Sequence, residues 1–316
     1  MQDARIDSVA RPPDSPTSDT SPRSLEPERS GDSGSFDGAA LPASDAREVF
    51  RSAKLLSGKP VGHTSVVFKV KLEGGLTAAW KPDSRRGRDR YRGEVAARRL
   101  ALALGLPNVP EVCLRSFSRA DLLRLLDADG AALVTAEALV DSMGQVPGAL
   151  VPWIADLTFP SLEAEPLLSR WKSGLAGKAD AASLELEELL LADISTLIAF
   201  DTLTGNWDRW SGANIGKDPI SGRLLFIDND AAFSASPPPD GLARNLRLLG
   251  ATKRFSRAFV AALSGLDPTR LEGIFGTDLA GAPLLSAKAV AGVRARLVTV
   301  RAALDAAGPE GLRAFP

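Results

Sequence analysis

The sequence predicts an α+β protein in which a small sheet lobe precedes a larger helical lobe. Three observations carry this expectation. Residues 66–72 alternate Val66, Phe68, Val70 and Leu72 with Val67, Lys69 and Lys71, the two-residue period of a strand. Residues 184–203 instead set Leu186, Leu190, Ile194, Leu197 and Ile198 at helical spacing. Strand signals fill the first half of the chain and helix signals the second, the order of an α+β fold rather than of alternating βαβ units.

Taken in order, residues 1–45 are rich in Ser, Pro, Asp and Arg and poor in large apolar groups. They bury too little apolar surface to offset chain entropy, so a disordered tail is expected. A sheet lobe is expected over residues 46–140 and a helical lobe over 141–316. After the first strand, Glu73, Gly74 and Gly75 supply a hairpin turn and residues 76–81 the return strand. Residues 82–90 read as polar loop. Residues 91–104 are rich in Ala, Leu and Arg and read as a helix stopped by Gly105 and Pro107. Residues 109–114 and 131–140 read as further strands and residues 144–148 as a loop. Helical stretches are expected at 184–203, 240–250, 253–264 and 286–307.

Composition excludes several classes of function. Lys plus Arg number 38 against 39 Asp plus Glu, a formal charge of −1 over 316 residues. No global basic field therefore draws the chain to nucleic acid or to an anionic membrane. No apolar run approaches the ~20 residues that span a bilayer, and the first residues lack the apolar core of a secretory signal. Cys113 is the only cysteine, which rules out an intramolecular disulfide and fits a reducing compartment. His63 is the only histidine, which removes multi-histidine zinc sites. A soluble cytoplasmic protein is expected.

Chemistry concentrates in Thr204-Gly205-Asn206-Trp207-Asp208-Arg209-Trp210-Ser211-Gly212-Ala213-Asn214 and in Leu224-Leu225-Phe226-Ile227-Asp228-Asn229-Asp230. The first follows the long helix as a loop. The second completes a hairpin around residues 218–222, with Asp228 at a strand end, a usual position for a metal ligand. Phosphoryl transfer needs positioning and charge neutralisation more than covalent help. Asp208 as proton acceptor, with Asn214 and Asp228 as oxygen ligands for Mg²⁺, are parts suited to it.

Upstream, Ala79 and Lys81 share one face of the return strand. Their spacing resembles the Val-Ala-Ile-Lys arrangement of protein kinases, which implies the alanine over adenine and the lysine on the α/β-phosphates of ATP. Glu94, on the next helix, can orient the lysine ammonium. Gly62, His63, Thr64 and Ser65 form a turn whose backbone N–H groups can face phosphate. Plain readings stand beside each of these. Lys81 could be an edge-strand lysine kept for solubility, Glu94 a surface carboxylate paired at i,i+4 with Arg90 and Arg98, and Asp208 a helix cap. Asp201 either braces the loop or is an ordinary helix carboxylate. Asp230 reads as a solvated side chain or an extra ligand, and the arginines at 85, 86, 88, 90 and 92 read as solvated.

Over residues 200–209 (Phe-Asp-Thr-Leu-Thr-Gly-Asn-Trp-Asp-Arg) and 226–231 (Phe-Ile-Asp-Asn-Asp-Ala), the chain resembles atypical kinases of the secretory-pathway type, the group of the Golgi casein kinase and the Four-jointed kinase. Phosphoinositide and HipA kinases share the same order of lysine strand, aspartate loop with asparagine, and metal-binding aspartate. The resemblance implies a bilobal protein-kinase-like fold with Lys81 on phosphate, Glu94 orienting it, Asp208 as base, and Asn214 and Asp228 on Mg²⁺ or Mn²⁺. It departs at three points. Asn214 lies six residues after Asp208 rather than five, Trp210 replaces a histidine of several relatives, and a single cysteine does not suit a secretory lumen. A bacterial or cytosolic branch is the expectation. The expected activity is ATP- and Mg²⁺- or Mn²⁺-dependent phosphate transfer to a hydroxyl, on protein Ser or Thr or on a small molecule. The alternatives are a nucleotide-binding pseudokinase or regulatory binding module, and nucleotidyl transfer on the same fold.

Overall fold

The computed structural model describes residues 43–62, 65–177, 187–210, 213–311 and 315. Residues 1–42 of the expected tail lie outside the described residues, and helix α1 (Ala43–Ser52) already begins at Ala43. Five antiparallel strands follow: β1 (Leu55–Val61), β2 (Val67–Leu72), β3 (Thr77–Pro82), β4 (Cys113–Ser118) and β5 (Gln145–Pro152), in the spatial order β1-β2-β3-β5-β4. The alternation seen in the sequence becomes the pleat. Phe68, Val70, Leu72, Ala78 and Trp80 point into one core with Phe117, Leu122, Leu126 and Leu150. Trp80 sits between Phe68 and Phe117, with ring centroids 5.6 and 5.1 Å away. Ala79 and Lys81 consequently face the other side, toward α2 (Tyr91–Ala103) and the rest of the molecule.

Three expectations are corrected here. Residues 131–140 form no strand: they fall mainly in helix α4 (Ala128–Glu137), preceded by α3 (Arg119–Leu125). Asp127 caps α4 by accepting from the Gly130 N–H at 2.8 Å, and its alanines favour helix. Residues 145–148, read as loop, open strand β5, where Pro147 and Gly148 concealed the signal. Gly148 is required there because a Cβ would lie 2.5 Å from the Lys81 carbonyl oxygen. The sheet thus runs on to Pro152. The strand expected at 109–114 is displaced to Cys113–Ser118.

The second half is helical: α5 (Leu167–Leu175), α6 (Glu188–Thr204), α7 (Pro239–Ala251), α8 (Arg257–Ser264), α9 (Leu271–Phe275) and α10 (Ala287–Gly311), with a two-stranded hairpin of β6 (Ile215–Lys217) and β7 (Leu224–Phe226). Helix α6 is buried on every side from Leu191 to Thr204, which makes it the axis of this lobe. Its buried carboxylate near the N-terminal end is satisfied, while the Thr204 hydroxyl at the other end is buried without a hydrogen-bond partner. The Asp193 carboxylate accepts from Asn108 Nδ2 (3.0 Å), Arg223 Nη1 (3.0 Å) and the Leu224 N–H (2.8 Å). Gly205 ends α6 at φ 68°, a left-handed cap that glycine adopts without steric penalty. The Asp208 loop starts there.

Candidate active site

β3 is the middle strand of the sheet, so Lys81 is not an edge lysine. Its ammonium donates to Glu94 Oε1 and, at 2.6 Å, to Asp228 Oδ1. Glu94 is buried on α2, and the same Oε1 accepts from the Asn229 N–H at 2.9 Å. It is therefore no surface partner of Arg90 or Arg98. Arg98 pairs with Glu111, and Arg90 Nη2 pairs with Asp230 Oδ1 at 2.6 Å. The approach of α2 to residues 229–232 depends on Gly93: a Cβ there would meet the Asn229 carbonyl oxygen at 2.7 Å. Asp228 holds φ at 57°, a left-handed conformation that aspartate tolerates better than most side chains and that concentrates at functional sites.

Asp208 and Asn214 form the second part of the site. Asn206 Oδ1 accepts from the Asp208 N–H at 3.2 Å, and Asn214 Nδ2 donates to the Asp208 carbonyl at 2.8 Å. Asn214 thus touches the loop it was expected to serve, with its amide oxygen as the atom suited to a cation. Ser211 and Gly212, within the six-residue spacing, lie outside the described residues, as do His63 and Thr64.

Arg209 joins the two parts, and sequence reasoning assigned it no role. Its Nε and Nη2 donate to the Asp201 carboxylate at 3.0 and 3.1 Å, Nη1 to the carbonyls of Asn214 (2.8 Å) and Ile227, and Nη2 to Asn229 Oδ1 (2.6 Å). The segments bearing Asn214 and Asp228 are thereby clamped to α6. Asp201 thus braces the loop rather than standing as an ordinary helix carboxylate. Asn245 on α7 adds bonds to the carbonyls of Asn206 (2.8 Å) and Asp201 (3.3 Å). The available signal was an arginine directly after Asp208 with an aspartate eight residues earlier, in the last turn of the helix.

Gly62 sits in the β1–β2 turn at φ 82° with open space around it, so its value is conformational freedom. Ser65 lines a narrow pocket with Lys81, Ser84, Arg86, Arg90 and Asp230. Of the arginines read as solvated, Arg90 pairs with Asp230, Arg86 with Glu137, and Arg92 with Asp89 and Asp278. Asp230 is only 8% exposed, which corrects its reading as a solvated side chain.

Charge in this cleft is unbalanced. Burial opposes the Lys81 ammonium, yet Glu94, Asp228 and Asp230 hold its pKa well above the usual lysine value. Burial would likewise raise Asp228, but Lys81 beside it pulls its carboxyl below the usual range. Asp230 goes the other way. Burial, with Asp228 and Glu94 nearby, pushes it up to about 7 against the pull of Lys81 and Arg90. Three carboxylates thus share two cations, Lys81 and Arg90, a surplus that suits a divalent metal. Among the described residues no group of three or more His, Cys, Asp or Glu side chains is placed to hold a metal ion. Mg²⁺ seldom needs such a group, because one or two carboxylates and the substrate's phosphates complete its shell. Carboxylate and amide oxygens are the donors such hard cations take.

No family model matches the chain, and no curated protein matches it. Solved structures do. The Golgi casein kinase with Mn/ADP bound aligns with a TM-score of 0.61 at 13% identity, covering 86% of this chain and 78% of that one. Hydra Fam20 with sugar aligns at 0.60 and 17% identity, covering 84% and 89%. At such identities the likeness is one of fold. The protein has the kinase-like α+β architecture of these atypical kinases, as the sequence resemblance implied. No helix among the described residues is long and apolar enough to cross a membrane.

Proposed function

We propose that the protein is an ATP- and Mg²⁺- or Mn²⁺-dependent phosphotransferase acting on a hydroxyl, with protein Ser or Thr as its acceptor class. The observation that carries this reading is Lys81 bound at once to Glu94 and Asp228, within the fold shared with the Golgi casein kinase. Lys81 binds donor phosphate and Glu94 keeps its ammonium aimed. Asp228 and Asn214, with Asp230 beside them, would hold the metal, which supplies neutralisation of phosphate charge. Asp208 takes the acceptor's hydroxyl proton as the acceptor oxygen bonds to the γ-phosphorus. The bond from that phosphorus to the β,γ-bridging oxygen breaks, and its electron pair leaves with ADP. Arg209 keeps the Asp208 loop and the Asp228 segment in fixed relation, so that base and metal ligands stay in register.

The test is purified protein incubated with a cell lysate, Mg²⁺ or Mn²⁺, and ATP labelled in either the γ- or the α-phosphate. Label passing to protein from the γ-position alone supports phosphotransfer. Transfer from the α-position would make the protein a nucleotidyltransferase. Nucleotide binding with no transfer of either label, by protein of full thermal stability, would make it a pseudokinase, the reading that the six-residue spacing of Asn214 favours.

A further inference from the structure

Behind the Asp208 loop, α5 and α7 border an open cavity of about 210 Å³ lined by Trp171, Lys172, Leu175, Ala176, Leu248 and Thr252. No step of the phosphotransfer uses it. An apolar cavity of about 150 Å³ takes up benzene, so this one has room for an aromatic or large aliphatic side chain. Its floor is apolar, with Trp171 and Leu175 buried. The Trp171 ring stacks on Trp210, centroids 6.0 Å apart and planes at 17°, and Trp210 is two residues beyond Asp208.

The rim is cationic. Lys172 lines the cavity, Arg170, Arg247 and Lys253 adjoin the lining residues Trp171, Leu248 and Thr252, and no lining residue is acidic, in a chain whose formal charge is −1. Arg170, Lys172, Arg247 and Lys253 are exposed. Lys172 Nζ lies 5.7 Å from the Trp171 ring centroid. Lys253 is fixed at the edge by its own N–H, which donates to the Leu175 carbonyl at 2.7 Å.

We propose that this pocket docks an acidic peptide segment carrying one aromatic or large aliphatic side chain. The side chain fills the cavity over Trp171, and flanking carboxylates meet Lys172, Lys253 and the neighbouring arginines. The apolar anchor provides most of the affinity and the rim charge selects the partner. A neutral apolar molecule would leave the rim unused.

The experiment is fluorescence anisotropy with the full-length protein and a labelled Glu-Glu-Phe-Asp-Glu peptide. Binding should saturate, weaken at least about tenfold when the peptide's Phe becomes Ala, and weaken between about 50 and 300 mM NaCl. Ala251→Trp, at an exposed position of the pocket wall, should abolish binding by filling the cavity. Lys253→Glu should weaken it several-fold without moving the thermal melt. Equal affinity for the Phe and Ala peptides, unchanged binding by Ala251→Trp, or no saturation up to about 1 mM peptide, against the ~10⁻⁶ M expected of a good anchor, would each overturn the proposal. So would a dimer in sedimentation that Ala251→Trp dissociates, since a second copy of the chain would then own the pocket. None of these readouts depends on phosphotransfer, so the two readings fail separately.

Discussion

Arg209 and Lys81 are both buried cations, and each ties together segments distant in sequence, yet their surroundings follow different rules. Arg209 is fully buried beside Asp201, which is 1% exposed, and all five of its N–H donors are used on one carboxylate, one amide oxygen and two carbonyls. Burial still pushes the Asp201 pKa up, with Arg209 opposing it, but one positive charge meets one negative charge. Lys81 faces Glu94, Asp228 and Asp230. A balanced, saturated network holds a shape. A network with surplus negative charge, one third-exposed carboxylate in Asp228 and a left-handed backbone at that residue has the character that the proposed metal role requires.

The sharpest way to break this contrast is to remove Asp228. In Asp228→Ala, Lys81 keeps Glu94 as partner, so the fold should survive while turnover falls by ~10³-fold or more, the scale of losing a charge-stabilising group. Metal-dependent nucleotide binding should vanish with it. Full activity in a folded Asp228→Ala protein would end the metal assignment. Next in size is Asp201→Asn, which leaves Arg209 buried without its counter-charge. It should cost about 3–5 kcal/mol in a denaturant titration, whereas a loss below about 1 kcal/mol would class the brace with ordinary hydrogen bonds.

Asp208→Asn should lower kcat by at least about 10²-fold while nucleotide affinity holds, because general-base help is worth about 10²–10⁴-fold. A fall in affinity with kcat unchanged would make Asp208 a ligand or cap instead. The smallest effect belongs to Asp230. Its folded pKa of about 7 lies above the unfolded carboxylate value, so the folded state keeps a proton that the unfolded state has released. The stability this contributes is complete below the unfolded value and is lost as pH rises through about 7. Metal-free protein should therefore melt at a lower temperature at pH 8 than at pH 5, and Asp230→Asn, which can still accept from Arg90, should flatten that part of the profile. An unchanged slope in Asp230→Asn would assign the pH dependence elsewhere. The same type of substitution is thus expected to destabilise in one network and relieve repulsion in the other.

Much of the fold was legible because its signals are local. The β2–β3 hairpin, α2, α6, α7, α8, α10 and the β6–β7 hairpin all follow from periodicity and from glycine or proline punctuation within short windows. The failures have a common cause. β5 contains Pro147 and Gly148, and its strand state is set by neighbours on both sides, β3 and β4, rather than by its own propensity. β1 (Leu55–Val61) carries Gly58 and Pro60 and escaped notice for the same reason. In α4 the reverse occurred: short apolar runs suit a strand or a helix equally, and the Asp127 cap decided the matter.

By itself, the sequence determined which chemical groups are present and which of them must be near neighbours. Asp208, Arg209 and Asn214 belong to one loop, Asp228 and Asp230 to one strand end, and Ala79 and Lys81 to one strand face, because bonded geometry fixes distances over a few residues. Only the tertiary structure decided that Lys81 meets a carboxylate 147 positions away, that Asp230 is buried against Arg90, and that Arg209 reaches both Asn214 and Ile227. Those contacts come from the packing of α2 against residues 229–232 and of the loop against α6. The hydrophobic burial that drives such packing has no direction of its own, so the ionic partners it brings together are set by the assembled fold and not by any spacing along the chain.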